Sequence, residues 1–345
     1  MFLRPSRPCI LNRDVLTLNS LLLSCLKPMF PWVGGKERLI PMIRQVMPSK
    51  MSQYMEPFGG SGANLLGMPP ERSRLDIYND YNQDLVNFFL CARDRPLSLV
   101  RELGFLPLNS RAEFEYLIRF LKQEEMGSEY VEDEIAIAEE YFPPGEAEEV
   151  IALLRGRAEL LDVRRAAAFF KVSRYSYSGT MTSYGVKACD LKHFFHLIWS
   201  ASRRLARVVI ERQDAIELIR KRDRPDGVIY CDPPYFQAEK SYAVKFRYRD
   251  HARLHRVLKQ CKGAVIVSYN DCRYIRFLYD DFYILAFRRE NQLAKEKGAL
   301  YGELLITNYD PRPFMNLQMN LFGAGTGAKW QPVLINIPRH VLKTL

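Results

Sequence analysis

The stretch Val228-Ile229-Tyr230-Cys231-Asp232-Pro233-Pro234-Tyr235 joins an apolar run to an acid, two prolines and an aromatic residue. An apolar run of this length and composition predicts a buried strand. The prolines end it, because proline has a fixed φ and no N–H to donate to a sheet. Similar short runs alternate with helical patterns along most of the 345 residues, which predicts an α/β sheet.

The residues after this strand suit methyl transfer to the exocyclic amine of a nucleobase. The lone pair of that amine is delocalised into the ring, so the nitrogen is a poor nucleophile. The carboxylate of Asp232 and the carbonyl oxygen of Pro233 are placed to accept its two N–H bonds, which turns the lone pair toward a methyl donor. Pro234 stiffens the turn, and Tyr235 offers a face on which a base can stack. The alternative is a strand that ends in a proline-rich turn without a chemical role.

Seven strands are predicted, and one long segment interrupts their alternation with helices. The strands are Gln53–Glu56, Arg74–Tyr78, Arg207–Glu211, Val228–Cys231, Ala264–Tyr269, Tyr283–Phe287 and Glu303–Thr307. Residues 96–204 are mostly helical, which predicts an inserted domain between two parts of a main domain, 29–95 and 205–310. Residues 1–28 are predicted to be a poorly ordered extension, and 311–345 a loosely ordered tail.

The charge distribution indicates a polyanionic partner. The chain carries a net charge of +10, but segment 124–159 holds twelve acids and two arginines, so the remainder is at +20. A basic body with one acidic segment suits a nucleic-acid enzyme whose acidic part is held away from the nucleic acid. The alternative is a solvated helical insert with no role in binding.

Cysteine usage and hydropathy limit the compartment. The seven cysteines are scattered and form no CxxC pair, so the sequence predicts neither a metal site nor a disulfide framework. No apolar run reaches the length that spans a membrane. A reducing cytoplasm is therefore expected.

A glycine-rich turn, Glu56-Pro57-Phe58-Gly59-Gly60-Ser61-Gly62, follows the first strand and precedes a helix. Glycines permit a tight turn and close approach of the backbone to a ligand, and a helix N-terminus favours a carboxylate. The turn lacks the G-x-G-x-x-G spacing of dinucleotide loops. It predicts a cofactor site of another kind.

Three more segments lie near predicted strand ends. Asp80, after the second strand, is placed either to hold ribose hydroxyls or to cap the helix that starts near Gln83. Asp214 is placed either to accept from an adenine amino group or to cap the next helix. In Pro31-Trp32-Val33-Gly34-Gly35-Lys36, Trp32 suits a core as well as a site, and Lys36 suits an exposed helix start. We expect these segments and Asp232 to meet, because ligands of open α/β sheets bind at the carboxyl ends of the strands.

In this order the motifs resemble those of the Dam-type N6-adenine DNA methyltransferases. The matching segments are Trp32–Lys36, Glu56–Gly62, Asp80–Asn82, Asp232–Tyr235, Val267–Asp271 and Glu303–Tyr309. The resemblance implies a Rossmann-like methyltransferase fold, S-adenosylmethionine as methyl donor, and an adenine flipped out of double-stranded DNA. It implies that Trp32, Lys36, Asp80 and Asp232 contact the cofactor or the site around it, with Phe58 near its adenine. Further cofactor-binding residues are predicted at Gly35, Glu56, Gly59, Gly60, Gly62 and Asp214.

Residues Arg174–Gly185, within a predicted hairpin that is called segment 174–187, are similar to a β-hairpin with which the family enters DNA. Tyr177 is placed to wedge into the base stack, and Arg174 and Lys187 to meet phosphates. Thr180 and Thr182 are predicted to contact DNA as well. Thr180-Met181-Thr182 lacks the base-contacting arginine of the GATC-reading members, so a GATC target is not implied. The alternative is a surface hairpin that is stabilised by cross-strand tyrosines.

Other functions are compatible with the same motifs. N4-cytosine methylation needs the same geometry, and similar motifs serve methylation of RNA or of a protein glutamine. A non-enzymatic DNA-binding protein with a relic pocket is a further alternative.

The tail contains Gln318-Met319-Asn320-Leu321-Phe322, which resembles peptides that dock on bacterial sliding clamps. The Leu-Phe pair would fill an apolar pocket of the clamp. The alternative is a short apolar tail that packs on the sheet.

Overall fold

The computed structural model describes residues 26–32, 34–35, 39–105, 110–122, 129–158, 162–177, 181–185, 190–236, 246–290, 300–315, 332–338 and 341. The strands are β1 Gln53–Glu56, β2 Leu75–Asn79, β3 Val208–Glu211, β4 Gly227–Cys231, β5 Ala264–Asn270, β6 Tyr283–Glu290, β7 Leu300–Thr307 and β8 Val333–Asn336. The helices are α1 Ile40–Val46, α2 Ala63–Gly67, α3 Gln83–Asp94, α4 Pro96–Phe105, α5 Arg111–Leu121, α6 Glu129–Tyr141, α7 Pro144–Ala158, α8 Val163–Tyr175, α9 Phe195–Leu205, α10 Ala215–Arg222, α11 Tyr248–Leu258 and α12 Arg273–Leu278. Short 3₁₀ helices lie at Leu191–Phe194 and Arg312–Phe314.

The strands form one mixed sheet in the order β3-β2-β1-β4-β5-β7-β6-β8. Strands β3, β2, β1, β4 and β5 are parallel, and β7, β6 and β8 continue the sheet with antiparallel pairs. The predicted α/β, Rossmann-like class is confirmed, and all seven predicted strands lie in this sheet. An eighth strand, Val333–Asn336, was not predicted: it lies in the tail that the sequence suggested to be loose, and it gains its backbone partners from the edge strand β6.

Alternating side chains of the sheet enter two cores. Tyr54, Tyr78 and Tyr230 face the core covered by α3, α8 and α9. Met55 and Ile77, each next in sequence to a residue of the first core, face the core covered by α10, α11 and α12. This period of two is what a strand buried on both faces requires.

Segment 96–204 contributes to the first core as well as to an outer layer. α8 is buried along nearly its whole length and packs on α3, and α9 packs on α3 from the same side. α6 and α7 instead pack on each other. The alternation of sequence patterns marks where the segment begins, but cannot show that two of its helices cover the sheet.

The first described residues also belong to the core. Leu26 and Met29 are buried, and the ring of Phe30 lies edge-on to Phe88 and Phe169, at centroid distances of 5.2 and 5.6 Å. Ordered packing therefore includes residues just before the predicted boundary at 28/29.

Candidate active site

A cavity of about 600 Å³ lies at the carboxyl ends of β1, β2, β3 and β4. It is at the point where the strand order reverses, between β1 and β4, which is where open α/β sheets bind their ligands. Its volume is in the range that holds a cofactor-sized molecule. Most of the predicted catalytic and cofactor-binding residues that the structure describes line it: Trp32, Gly35, Glu56, Phe58, Gly59, Gly60, Asp80, Asp214, Asp232 and Pro234. Gly62, Pro233 and Tyr235 are not part of the lining.

The glycine-rich turn forms one wall of the cavity. Gly60 and Gly62 adopt positive φ of 50° and 63°, a conformation that strains other residues. A Cβ on Gly60 would lie 3.0 Å from Cδ1 of Trp32, and one on Gly59 would lie 2.2 Å from the ring of Tyr78. The hydroxyl of Tyr78 donates to the carbonyl oxygen of Gly60 at 2.7 Å. The turn is therefore packed closely against Tyr78 and Trp32, which leaves no room for a side chain at Gly59 or Gly60.

Asp80 ties this turn to the loop after β2. Its Oδ2 accepts from the backbone N–H of Gly60 at 3.0 Å, and its Oδ1 accepts from that of Asn82 at 2.9 Å. Burial raises the pKa of Asp80, and the backbone hydrogen bonds oppose that rise. The cap of α3 is Asn82, whose Oδ1 accepts from Asp84 N and Leu85 N. Of the two predicted roles, capping thus belongs to Asn82, and Asp80 presents a carboxylate to the cavity.

Glu56 is a buried acid at the end of β1. The hydroxyl of Tyr54 donates to its Oε1 at 2.6 Å, and Nδ2 of Asn64 donates to that hydroxyl oxygen at 2.6 Å. Burial raises the pKa of Glu56 to about 8, and the nearby charge of Asp232 adds to the rise. The Glu56 carboxyl is therefore mostly protonated at neutral pH.

Asp232 lies at the end of β4, half-buried, beside the cavity. The hydroxyl of Ser268, on the neighbouring strand β5, donates to its Oδ1 at 2.7 Å. Pro233 is buried and Pro234 lines the cavity.

Tyr235 points away from the cavity. Its side chain is 5% exposed, its ring lies 6.2 Å from that of Tyr269, and its hydroxyl donates to Glu303 on β7. The stacking face predicted for this residue is thus covered here. Stacking of a base on Tyr235 remains a prediction, and it requires the ring to turn outward.

Asp214 both caps a helix and lines the cavity. Its Oδ1 accepts from Ile216 N at 3.0 Å and Glu217 N at 3.1 Å, at the start of α10. The side chain is exposed at the cavity rim. Both predicted roles are compatible with this position.

Asn79, which the sequence reasoning missed, joins three loops of the site. Its Nδ2 donates to the carbonyl oxygens of Pro57 and Gln213 at 2.8 and 3.1 Å, and its Oδ1 accepts from Gln213 N at 2.9 Å. The sequence signal for Asn79 was a polar residue directly after an apolar strand. The structure shows that it is fully buried, where a polar side chain needs hydrogen-bond partners.

The lining residues far along the chain were also missed. Phe246, Asp250 and Arg253 reach the cavity from the start of α11, and Phe246 lies edge-on to Phe58 at 5.6 Å. Four aspartates line the cavity, at positions 80, 214, 232 and 250. The lining has one arginine, Arg253, whose guanidinium nitrogen lies 3.2 Å from Oδ1 of Asp250. The cavity is acidic in a basic protein, so it favours a cationic ligand.

Comparisons with known proteins agree with this geometry. A sequence profile of the D12 class N6 adenine-specific DNA methyltransferases matches residues 32–292. The chain belongs to this family.

Similar proteins are named as a type II methyltransferase and as DNA adenine methylases. The chain is 26% identical over 306 residues to the type II methyltransferase M1.LlaDCHI of Lactococcus lactis subsp. cremoris, covering 82% of this chain and 96% of the relative. It is 25% identical over 268 residues to a DNA adenine methylase of Vibrio cholerae serotype O1, covering 72% and 83%. With a DNA adenine methylase of Haemophilus influenzae it shares 41% identity over 63 residues, 18% of this chain and 21% of the relative. This D12-family protein is a DNA adenine methyltransferase.

The segment expected to enter DNA is paired at its base in this D12 methyltransferase. Ser176 and Tyr184 form an antiparallel bridge, and Tyr177 N donates to Ser183 O at 2.8 Å. Tyr177 is 62% exposed there, and Thr182 is exposed as well. Thr180, Lys187 and the cofactor candidate Lys36 lie outside the described residues.

Arg174 does not project with these residues. Its guanidinium carbon lies 3.6 Å from the centre of the Phe194 ring, and one nitrogen donates to the carbonyl oxygen of Met29. The predicted phosphate contact is not supported by this inward orientation. The cation–π contact and the carbonyl give Arg174 a place in the packing of α8.

Two absences concern only the described part of the chain. It contains no group of three or more His, Cys, Asp or Glu side chains arranged to hold a metal. Within the same ranges, no helix has the length and apolar character to cross a membrane.

Proposed function

We propose that this enzyme methylates N6 of a flipped-out adenine in double-stranded DNA, with S-adenosylmethionine as donor. The acidic cavity next to Asp232 carries the proposal. A cationic donor and a neutral amine must meet at one point, and Asp232 lies at the end of β4 on the wall of a cavity whose charges favour a cation. When bound, S-adenosylmethionine supplies an electrophilic methyl group on a sulfonium sulfur.

The chain's own residues suit that donor. The aspartates of the lining favour its positive charge. Asp80, half-buried just after β2, is the acceptor for ribose hydroxyls, and Phe58 and Ile216 offer apolar surfaces for an adenine ring. Gly59 and Gly60 keep this turn in the shape that lines the cavity, because a Cβ at either position would collide with Tyr78 or Trp32.

The amine is activated by orientation. Asp232 and the carbonyl oxygen of Pro233 accept the two N–H bonds of N6, so that the lone pair faces the methyl group. Ser268 holds the carboxylate in place from β5. Most of the rate then comes from positioning, and Asp232 need not be a strong base because the proton can leave after the methyl group is transferred.

The adenine must leave the duplex to reach this site, at a cost of about a few kcal/mol. Tyr177, exposed at the paired base of segment 174–187, is placed to fill the gap or to wedge into the stack. Tyr235 remains the predicted stacking partner of the flipped base, once its ring turns out of its packing against Tyr269. The basic body outside segment 124–159 supplies the attraction to phosphate.

The experiment is transfer of a labelled methyl group from S-adenosylmethionine to duplex DNA, RNA and protein in parallel, followed by mass spectrometry of nucleosides from the DNA. We expect label in DNA as N6-methyladenine. Label confined to RNA or protein, or N4-methylcytosine in the DNA, would contradict the proposal. An absence of turnover with every substrate would favour the non-enzymatic alternative.

A contact with a bacterial sliding clamp stays a prediction from sequence. Residues 318–322, which carry the motif, lie outside the described residues. Retention on immobilised clamp that is lost in the double variant Leu321→Ala, Phe322→Ala would support it. We propose a cytoplasmic location, where chromosomal or phage DNA is present.

A further inference from the structure

A cluster of three aromatic rings lies directly beside the catalytic motif. Phe236 follows Tyr235 in sequence, Tyr248 begins α11, and Tyr274 lies in the first turn of α12. The centre of the Tyr274 ring is 4.5 Å from the centre of the Phe236 ring and 4.5 Å from that of the Tyr248 ring. The interplanar angles are 32° and 33°. Tyr248 is 58% exposed, so the cluster opens to solvent.

This cluster continues from the cavity. Phe246 contacts Phe58 inside the cavity at 5.6 Å, and its other neighbour is His251 at 4.8 Å. His251 in turn lies 5.5 Å from Phe236. An unbroken series of rings thus leads from the site of methyl transfer to the exposed Tyr248.

Positive charge surrounds the exposed end of the cluster. Arg247 and Arg249 flank Tyr248 in sequence, and Arg273 precedes Tyr274; all three side chains are exposed. Among nearby acids, Asp250 is engaged with Arg253, and Asp271 with Arg276. Exposed rings between arginines are the composition that binds unpaired nucleotides, because bases stack on the rings while the charges meet the phosphates.

Two buried polar atoms next to Phe236 have no hydrogen-bond partner among the described residues: Nε2 of His251 and Oδ1 of Asn270. The other polar atoms of these side chains are engaged, Nδ1 of His251 with the hydroxyl of Tyr269 at 2.8 Å and Nδ2 of Asn270 with the carbonyl oxygen of Phe236 at 3.2 Å. Both atoms are covered by protein, so a ligand on the cluster meets its rings and arginines and not these atoms.

We infer that Phe236, Tyr248 and Tyr274, with Arg247, Arg249 and Arg273, form a stacking site for an unpaired nucleotide next to the flipped adenine. The inference rests on the proposed base flipping, since an intact duplex presents no base face to this surface. It assigns to the starts of α11 and α12 a contact with DNA that is separate from segment 174–187.

The test measures binding of a fluorescein-labelled single-stranded DNA oligonucleotide by anisotropy over a series of NaCl concentrations. Tyr248→Ala and Tyr274→Ala should each weaken binding about tenfold, while Tyr248→Phe keeps the ring and the affinity. The double variant Arg247→Gln, Arg249→Gln, which alters only exposed side chains, should reduce the slope of log K against log salt by about 1.4. Tyr141→Ala and Arg203→Gln are matched controls, because both residues are exposed on other helices and neither lines the cavity.

Affinities of the tyrosine variants within twofold of wild type, with the salt slope of the arginine variant unchanged, would overturn the inference. Methyl transfer to duplex DNA, measured on the same preparations, keeps the proposed function separate. If the tyrosine and arginine variants transfer methyl groups normally and bind the oligonucleotide as wild type does, the stacking site alone is rejected. If the wild-type protein binds DNA but transfers no methyl group, the proposed function is rejected.

Discussion

The hydroxyl of Ser268 donates a hydrogen bond of 2.7 Å to Oδ1 of Asp232, across neighbouring parallel strands. The bond fixes the orientation of the carboxylate that is proposed to meet the substrate amine. Because β5 is a central strand and Ser268 is fully buried, the carboxylate is oriented by the sheet and not by solvent.

Removing this hydroxyl should slow catalysis without unfolding the protein. A hydrogen bond to a charged group contributes about 1.5–3 kcal/mol, so Ser268→Ala should lower kcat roughly tenfold to a hundredfold. Ser202→Ala is a matched control, since its hydroxyl donates only to the carbonyl oxygen of Arg93 at 3.0 Å. Steady-state kinetics check the prediction, which fails if both variants keep the wild-type kcat.

Asp80→Ala should act on the cofactor and much less on the chemical step. The variant loses an acceptor for the ligand and also the bonds that hold Gly60 and Asn82. We expect the Kd for S-adenosylmethionine to rise roughly tenfold or more, with kcat at saturating cofactor reduced far less. Calorimetric titration measures the first and kinetics the second; an unchanged Kd would remove Asp80 from the binding site.

Sequence predicted the strands and the crevice well, because apolar period and chain order are local properties. It left open whether Asp80 holds ribose hydroxyls or caps α3, and only the backbone geometry shows that Asn82 is the cap. Its reasoning on Arg174 followed charge, whereas Phe194, 20 residues away, captures the guanidinium. Contacts of this kind, and the covered ring of Tyr235, depend on tertiary packing that no local pattern contains.

The turn at Gly60 should not tolerate a side chain. Gly60→Ala places a Cβ 3.0 Å from Trp32 at a φ of 50°, so we expect a loss of about 1–3 kcal/mol in unfolding free energy and weakened cofactor binding. Gly145→Ala is the control, because an added Cβ meets nothing within 4 Å in α7. Denaturant titration of both variants tests the pair, and equal stability of the two would refute the assigned strain.

Glu56 should give the protein a distinctive pH dependence. Its pKa is raised from 4.5 to about 8 by burial, so between these values the folded state holds more protons than the unfolded state. Its contribution to stability is therefore complete below pH 4.5 and is lost as pH rises through 8, at up to about 1.4 kcal/mol per pH unit. Glu56→Gln should remove this decline. The measurement is the unfolding free energy of wild type and variant from pH 5 to pH 8. If the difference between the two stays constant over this range, Glu56 titrates normally and the prediction is wrong.

The central claim is that Asp232 activates N6 of adenine in DNA. Its most direct test is the yield of N6-methyladenine in duplex DNA under single-turnover conditions, for wild type and Asp232→Ala, with thermal unfolding measured alongside. We predict N6-methyladenine from the wild type and a loss of roughly a thousandfold in the variant, which should keep its cooperative unfolding. Near-normal N6-methyladenine from the variant would contradict the account.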